Sequence, residues 1–579
     1  MKRILSLLLA LAMLSGCALV FASCGAKDDG AEISVYLGGE VYDFDPTVYY
    51  TDANAEQVMS LIWEPLFSLD AEGELGYAAA KKYEVNEQRR EIVIYLRESY
   101  WSDAVKVTAA DFVFAWRDIL LEPNKANPAA ALLYDIVNAK DIKNGSKSLY
   151  EFGAVARDND EIVINYREGA DYKQLLKNLA SLATSPARED IITAYNEGYW
   201  SKAINTAVTN GAFKIADIDA ATFTVARNTG YHQKTTVSNP TKIVTPAKLV
   251  TFTSGESSFA VSYKDLEEKT VFYMGDASLE DRKANKDKAI SADALSTYTY
   301  VFNTEKPLFA IEEVRQALSM AIDREAIVEA ITFGKAATGF LPDTVIDTKD
   351  GKTFRAEALI SASPKATEAR ALLADVNFSG IDKSFTLTVN DDEQSLAIAN
   401  IVKSAWNSLG FSVTVEAAGA VKSTVKDFSS NTEMEIKDSA IQTSVISAAR
   451  GNRDFDVIAV DWNMYSNDAF VALSAFAKNF SGAGYDFEGD FALGSFGGWV
   501  SEEYDALIQK AYNAENKEIR SEALHDAEKL LVESAAIVPV VYNQTFAFVS
   551  SEISGITFDG FGNVVFVKAK QKNYEQYLN

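Results

Sequence analysis

The chain has 579 residues, a formal net charge of -27 and 48% hydrophobic residues, enough apolar material to bury sizeable cores, which excludes a disordered acidic chain. So large an excess of acid repels phosphate backbones and anionic lipid, and sets nucleic acid aside as a partner. Histidine occurs only at His232 and His525 and cysteine only at Cys17 and Cys24; most residues that bind transition metals or drive Ser-His and Cys-His nucleophiles are missing, so no metal or other cofactor is expected.

The N-terminus reads as an export signal: Lys2 and Arg3, the apolar run Ile4 to Leu14, then small residues before a cysteine. "LSGC", ending at Cys17, and "FASC", ending at Cys24, both resemble the bacterial lipobox, whose cysteine is acylated before cleavage. Cleavage at Cys17 would leave "ALVFA" exposed, whereas Cys24 is followed by the polar "GAKDDGAE". Cys24 is therefore the expected lipidated residue, with Cys17 as alternative, a signal peptide over 1–23 and a tether over 24–31. The competing reading is an uncleaved anchor, because the apolar run plus "ALVFA" approaches the ~20 residues that span a bilayer.

Short strand-like runs follow, "EIVIYLR" at 91–97, "EIVINYR" at 161–167, "SFTLTVN" at 384–390 and "FDVIAVDW" at 455–462, alternating with helical stretches. The fold class is mixed α/β. Between the first two runs, Thr108 and Asp111 form a capping-box-like helix start, and Phe112, Val113, Trp116, Ile119 and Leu120 share one face until Pro123. These aromatics read as core, and Asp103 and Asp111 as turn and cap residues. A second helical stretch follows Pro307, with Asp323 as N-cap of a restart and Gly334 as its close; a third runs from Ser501 to Ser534. His525, one step off an apolar face, and His232, in the polar loop "NTGYHQKTT", both read as solvated side chains. Segments 229–246 and 416–450, rich in Thr, Ser, Asn and Ala, read as loops or decorated connections.

Enzyme signatures are missing: no G-x-x-x-x-G-K-[ST], no G-x-S-x-G, no H-E-x-x-H, and the S-x-x-K match at Ser423 to Lys426 lacks its usual partners. Counting carboxylates does not remove a glycosidase-like pair, which stays as the lesser alternative to a non-enzyme.

Many short segments occur in an order that resembles one family. They are "YDFDP" at 42–46, "IWEPLFSLDAEGEL" at 62–75, "WSDAVKVTAADF" at 101–112, "NAKDIKNG" at 138–145, "TNGAFKI" at 209–215, "TYTYVFNTEKPLF" with "EEVRQALSMAIDREAIVEAI" over 297–331, "GWVSEEYDALIQKA" and "AEKLLVESAAIVPVVY". The chain resembles the extracellular solute-binding proteins of peptide-type ABC importers, whose relatives bind oligopeptides, dipeptides, nickel complexes or oligosaccharides. Ala104 stands where the family has glycine, which opens that turn to a different backbone shape. The resemblance implies a monomer with two lobes that close on a peptide or other small solute and offer it to a membrane permease. A surface interaction protein on the same scaffold is the alternative. The expected first lobe spans 32–295 plus 540–579, with a subdomain at about 76–204, and the second 296–539.

In the family's peptide binders, a Trp-x-x-Asp-Tyr stretch places an aspartate against the peptide's free amine. Here the aligned stretch is "FDVIAVDWNMYSND", in which Trp462 matches, Tyr465 falls at the aspartate's position and Ser466 at the tyrosine's. The resemblance makes Asp461, Trp462, Asn463, Tyr465, Asp468 and Tyr42 the candidate ligand-binding residues. Asp461 and Asp468 are the nearby carboxylates that could replace the anchor, although Asp461 faces opposite to Trp462 on a strand.

Overall fold

The computed structural model describes residues 30–38, 43–47, 53–194, 200–201, 207–218, 222–233, 246–252, 261–355, 357–427, 432–484 and 492–577. Cys17, Cys24, Tyr42 and most of segment 229–246 lie outside them.

One eleven-stranded sheet runs through both lobes. In the first lobe Glu32–Tyr36 pairs in parallel with Lys248–Phe252 and Tyr273–Met274, and Thr222–Arg227 and Phe213–Ile218 extend the edge. In the second, Val457–Asn463 lies between Ser384–Asn390 and Ile290–Phe302, and Ser412–Ala418 forms the edge. Two thirteen-residue strands, Ile290–Phe302 and Ile537–Val549, join the halves. Their ladder runs from Ile290↔Ala547 to Asp293↔Gln544, breaks, and resumes at Thr297↔Tyr542. Burial changes with it: Ile290 to Leu295 passes from exposed to buried, and Ser296 to Phe302 is buried throughout. An irregularity in a ladder bends the strands locally, so this pair joins the lobes through a bend.

The strands expected at 91–97, 161–167, 384–390 and 455–462 are present as Glu91–Leu96, Glu161–Asn165, Ser384–Asn390 and Val457–Asn463. The first two belong to a four-stranded antiparallel sheet of the first lobe, with Ala80–Asn86 and Ala154–Asp158 outside them. Trp101 and Trp116 are fully buried; Trp101 donates to Asp111 at 3.3 Å and Trp116 to the Thr184 carbonyl at 2.9 Å. The Asp111 carboxylate accepts from the Thr108 amide at 2.7 Å, completing the cap. Asp103 pairs with Arg188 at 3.0 Å. Ala104 sits at φ +70°, so the turn keeps the left-handed conformation that suits glycine, and the alanine carries the strain.

Three expectations need correction. Segment 416–450 is no loop: Ala420–Asp427 pairs with Thr432–Ser439 as a two-stranded ribbon, followed by the helix Ala440–Ala449 with Ser439 as cap. His232 is part-buried with its side chain 4% exposed, its Nε2 within 2.9 Å of Glu64 Oε2, and the adjacent Tyr231 hydroxyl also donates to Glu64. His525 is only partly solvated, its side chain 36% exposed, because it stacks face to face on Phe354 with ring centroids 3.9 Å apart and lies 3.1 Å from Asp347. Each histidine neighbours a carboxylate brought from far along the chain, which no local pattern could reveal.

Candidate functional site

The strand Val457–Asn463 ends at the junction of the lobes and feeds the turn 464–468, after which Asp468 caps the helix Ala469–Ser474 by accepting from the Phe470 amide at 3.0 Å. Strand end, turn and helix wall a small pocket that opens to solvent. Trp462, Met464, Tyr465, Val471 and Phe496 are among its lining, Asn463 supplies a side-chain amide, and Pro128 comes from the first lobe; among the described residues, none of the lining carries a charge. Trp462 is held from behind by Phe476, 5.0 Å away and nearly parallel, and by Phe340 at 5.9 Å. Phe340 is fixed through its backbone, because the buried Glu528 carboxylate accepts from the Phe340 and Leu341 amides at 2.9 and 2.8 Å and is paired with Arg355.

Of the sequence-predicted residues, Trp462, Asn463 and Tyr465 meet in this pocket; Asp461 and Asp468 are not part of its lining. Asp461 is half-buried on the other face of the strand, where it accepts from Asn543 at 2.7 Å. Asp468 is 1% exposed and paired with Arg520 at 3.2 Å; burial pushes its carboxyl up from the ordinary range, opposed chiefly by the Arg520 charge. Tyr465, at the position of the family's anchoring aspartate, spends its hydroxyl on the Thr47 carbonyl of the first lobe, 3.1 Å away. Phe340, Phe476, Phe496 and Glu528 escaped sequence reasoning: the run "AFVALSAFA" reads as ordinary core, and Glu528 sits in a charged helix.

The two lobes touch directly around the pocket. Ser466 donates to Asn178 at 2.6 Å and Gln174 to Asn467 at 3.2 Å. Tyr512 donates to the Tyr134 carbonyl at 3.3 Å and carries the Arg167 guanidinium 4.0 Å above its ring, while Arg167 pairs with Asp135 at 2.6 Å. Lys517 pairs with Asp171 at 2.5 Å. The cleft is shut.

Among the described residues no helix is long and apolar enough to cross a membrane, and no group of three His, Cys, Asp or Glu is placed to hold a metal. Residues 1–18 match the prokaryotic membrane lipoprotein lipid attachment site, so the chain is exported and lipid-anchored. It is 24% identical over 549 residues to the dipeptide-binding protein DppE of Bacillus subtilis, covering 92% of this chain and 90% of that one. The fold is shared with the pheromone receptor PrgZ, at a TM-score of 0.77 and 21% identity over 94% of this chain and all of that one. It is shared too with Haemophilus influenzae OppA in complex with RPPGFSPFR, at 0.72 and 22% over 94% and 99%. Residues 74–484 match the model of the bacterial extracellular solute-binding proteins, family 5, and with two lobes shut around an aromatic pocket, the chain belongs to that family.

Proposed function

We propose that this lipoprotein captures peptides between its lobes and hands them to a membrane permease, with no catalytic turnover and no metal of its own. The observation that carries the reading is the pocket at the junction of the shut lobes, aromatic-walled and uncharged among the described residues; the names of the relatives supply the ligand class. A charged group buried there would lose its water without gaining a partner, which costs several kcal/mol. The described lining therefore suits an uncharged side chain, and no described lining residue offers a carboxylate to the ligand's amine. The test is native mass spectrometry of freshly purified protein, followed by binding of a random peptide pool, free and N-acetylated. Equal binding of both pools is expected; strong preference for free peptides would refute the missing anchor, and no peptide binding would refute the ligand class. The near absence of polar lining favours an uncharged non-peptide solute as the second reading, which the same spectra would reveal.

Of the lobe limits 32–295 plus 540–579 and 296–539, the one at 295/296 is supported by the break in the joining ladder between Asp293 and Thr297; on the partner strand the break falls between Tyr542 and Gln544, a few residues past 539/540. For the lipid, the matched segment ends at residue 18 and so contains Cys17 and not Cys24, which supports Cys17 as the acylated residue. Intact mass of Cys17→Ser and Cys24→Ser chains distinguishes the two.

A further inference from the structure

The loop 479–484 of the second lobe lies directly on segment 122–144 of the first. Asn144 donates to the Asn479 carbonyl at 3.0 Å, and the Lys140 ammonium stands 4.8 Å over the Phe480 ring. At the centre, the Asn127 amide donates to the Gly482 carbonyl at 2.8 Å. Gly482 and Gly484 have φ of +75° and +61°. A Cβ on Gly482 would lie 2.0 Å from the Asn127 carbonyl oxygen and 3.3 Å from Pro128 Cα; one on Gly484 would lie 2.4 Å from the Pro123 oxygen. What each would strike is backbone of the opposite lobe, and that backbone is braced. The fully buried Lys143 donates to the Glu122 and Lys125 carbonyls at 2.9 and 2.6 Å, and the Asn127 side chain accepts from the Ala129 amide at 3.0 Å. A braced turn cannot move aside as the far end of a flexible side chain would. Pro128, next in the chain, is the first lobe's contribution to the pocket wall.

We infer that Gly482 and Gly484 are closure residues: the lobes shut because neither position carries a side chain, and the seam they form sets how near Pro128 comes to the ligand. The inference rests on the clamp reading above. Ligand binding is coupled to closure, because a ligand that contacts both lobes favours the shut state, and the fraction of protein able to shut multiplies the apparent affinity.

Asparagine tolerates a left-handed backbone, so Gly482→Asn and Gly484→Asn add bulk with little backbone strain. Gly380→Asn is the control, because Gly380 has φ +74° and its Cβ would meet nothing within 4 Å. Small-angle scattering with saturating peptide pool should give a larger radius of gyration for both seam variants than for wild type and Gly380→Asn, both of which shrink when peptide is added. Binding of the peptide pool should weaken at least about tenfold, with an unfolding midpoint no lower than the control's. A seam variant that compacts with peptide as far as wild type overturns the inference, and if wild type binds no peptide, which refutes the proposed function, the exchange of the Asn127 amide still reads the seam. If the seam variants do not fold, amide hydrogen exchange of the wild type decides: Asn127 protected like other hydrogen-bonded amides of its turn supports the seam, and Asn127 exchanging as a free amide overturns it.

Discussion

Asp468→Asn separates an anchoring carboxylate from a structural one. Asparagine keeps the acceptor that caps the Phe470 amide, and Asn and Asp are near-equal caps, so little is lost at the helix end. What is lost is the charge facing Arg520, whose side chain is 11% exposed. Removing one partner of a buried pair costs 3–5 kcal/mol as a rule. Two features place this site at the low end. Arg520 also stands 4.6 Å over the Phe470 ring and keeps that contact, and burial already penalises the ionised Asp468, as its raised pKa shows. The expected cost is about 3 kcal/mol in urea unfolding at pH 7, mostly recovered in Asp468→Asn/Arg520→Met, which leaves no unpaired charge. The ratio of free to N-acetylated peptide binding should not change. A stability loss under about 1 kcal/mol, together with selective loss of free peptides, would refute this reasoning and restore Asp468 as the amine anchor.

Burial pushes the Glu56 carboxyl from 4.5 up to about 8, with the Asn563 amide at 3.1 Å opposing. A raised acid pKa means that the folded state holds its proton longer than the unfolded one, so stability from this group is full below pH 4.5 and is lost as pH rises through about 8. Glu56→Gln, which keeps an acceptor for Asn563, should flatten that fall by up to about 1.4 kcal/mol per pH unit; denaturation curves at pH 5 and 8 that shift in parallel would count against it. Ala104→Gly should stabilise the first lobe by about 0.5–1 kcal/mol by relieving the φ of +70°, read as a higher midpoint, and an unchanged or lower midpoint would show the turn to be unstrained. Tyr465→Phe removes the hydrogen bond to the Thr47 carbonyl and should weaken ligand binding about 2- to 10-fold; unchanged calorimetric affinity would mean that this contact does not hold the cleft shut.

Elements whose rules are local were legible in the order of the residues. The Thr108–Asp111 cap and the helical face of Phe112 and Val113 form as the α-helix Ala109–Phe114, which widens to a π-helix at Ala115–Leu120 carrying Trp116, and the strand expected at 455–462 forms as Val457–Asn463, because hydrophobic period and capping act within a few residues. Ordered short motifs likewise made the family legible, and the departure at Tyr465 was visible without any coordinates. The roles of the charged and small residues follow from long-range packing. Asp468 could have met a ligand's amine, and instead meets Arg520, 52 positions away. Glu64 meets His232 across 168 positions, and Glu528 fixes the loop behind Trp462 across nearly 190. Gly482 reads as a turn residue, yet its missing side chain matters because Asn127 of the other lobe lies against it. A charge or a void acts on whatever the fold brings within a few ångströms, and one-dimensional spacing carries no record of that neighbour.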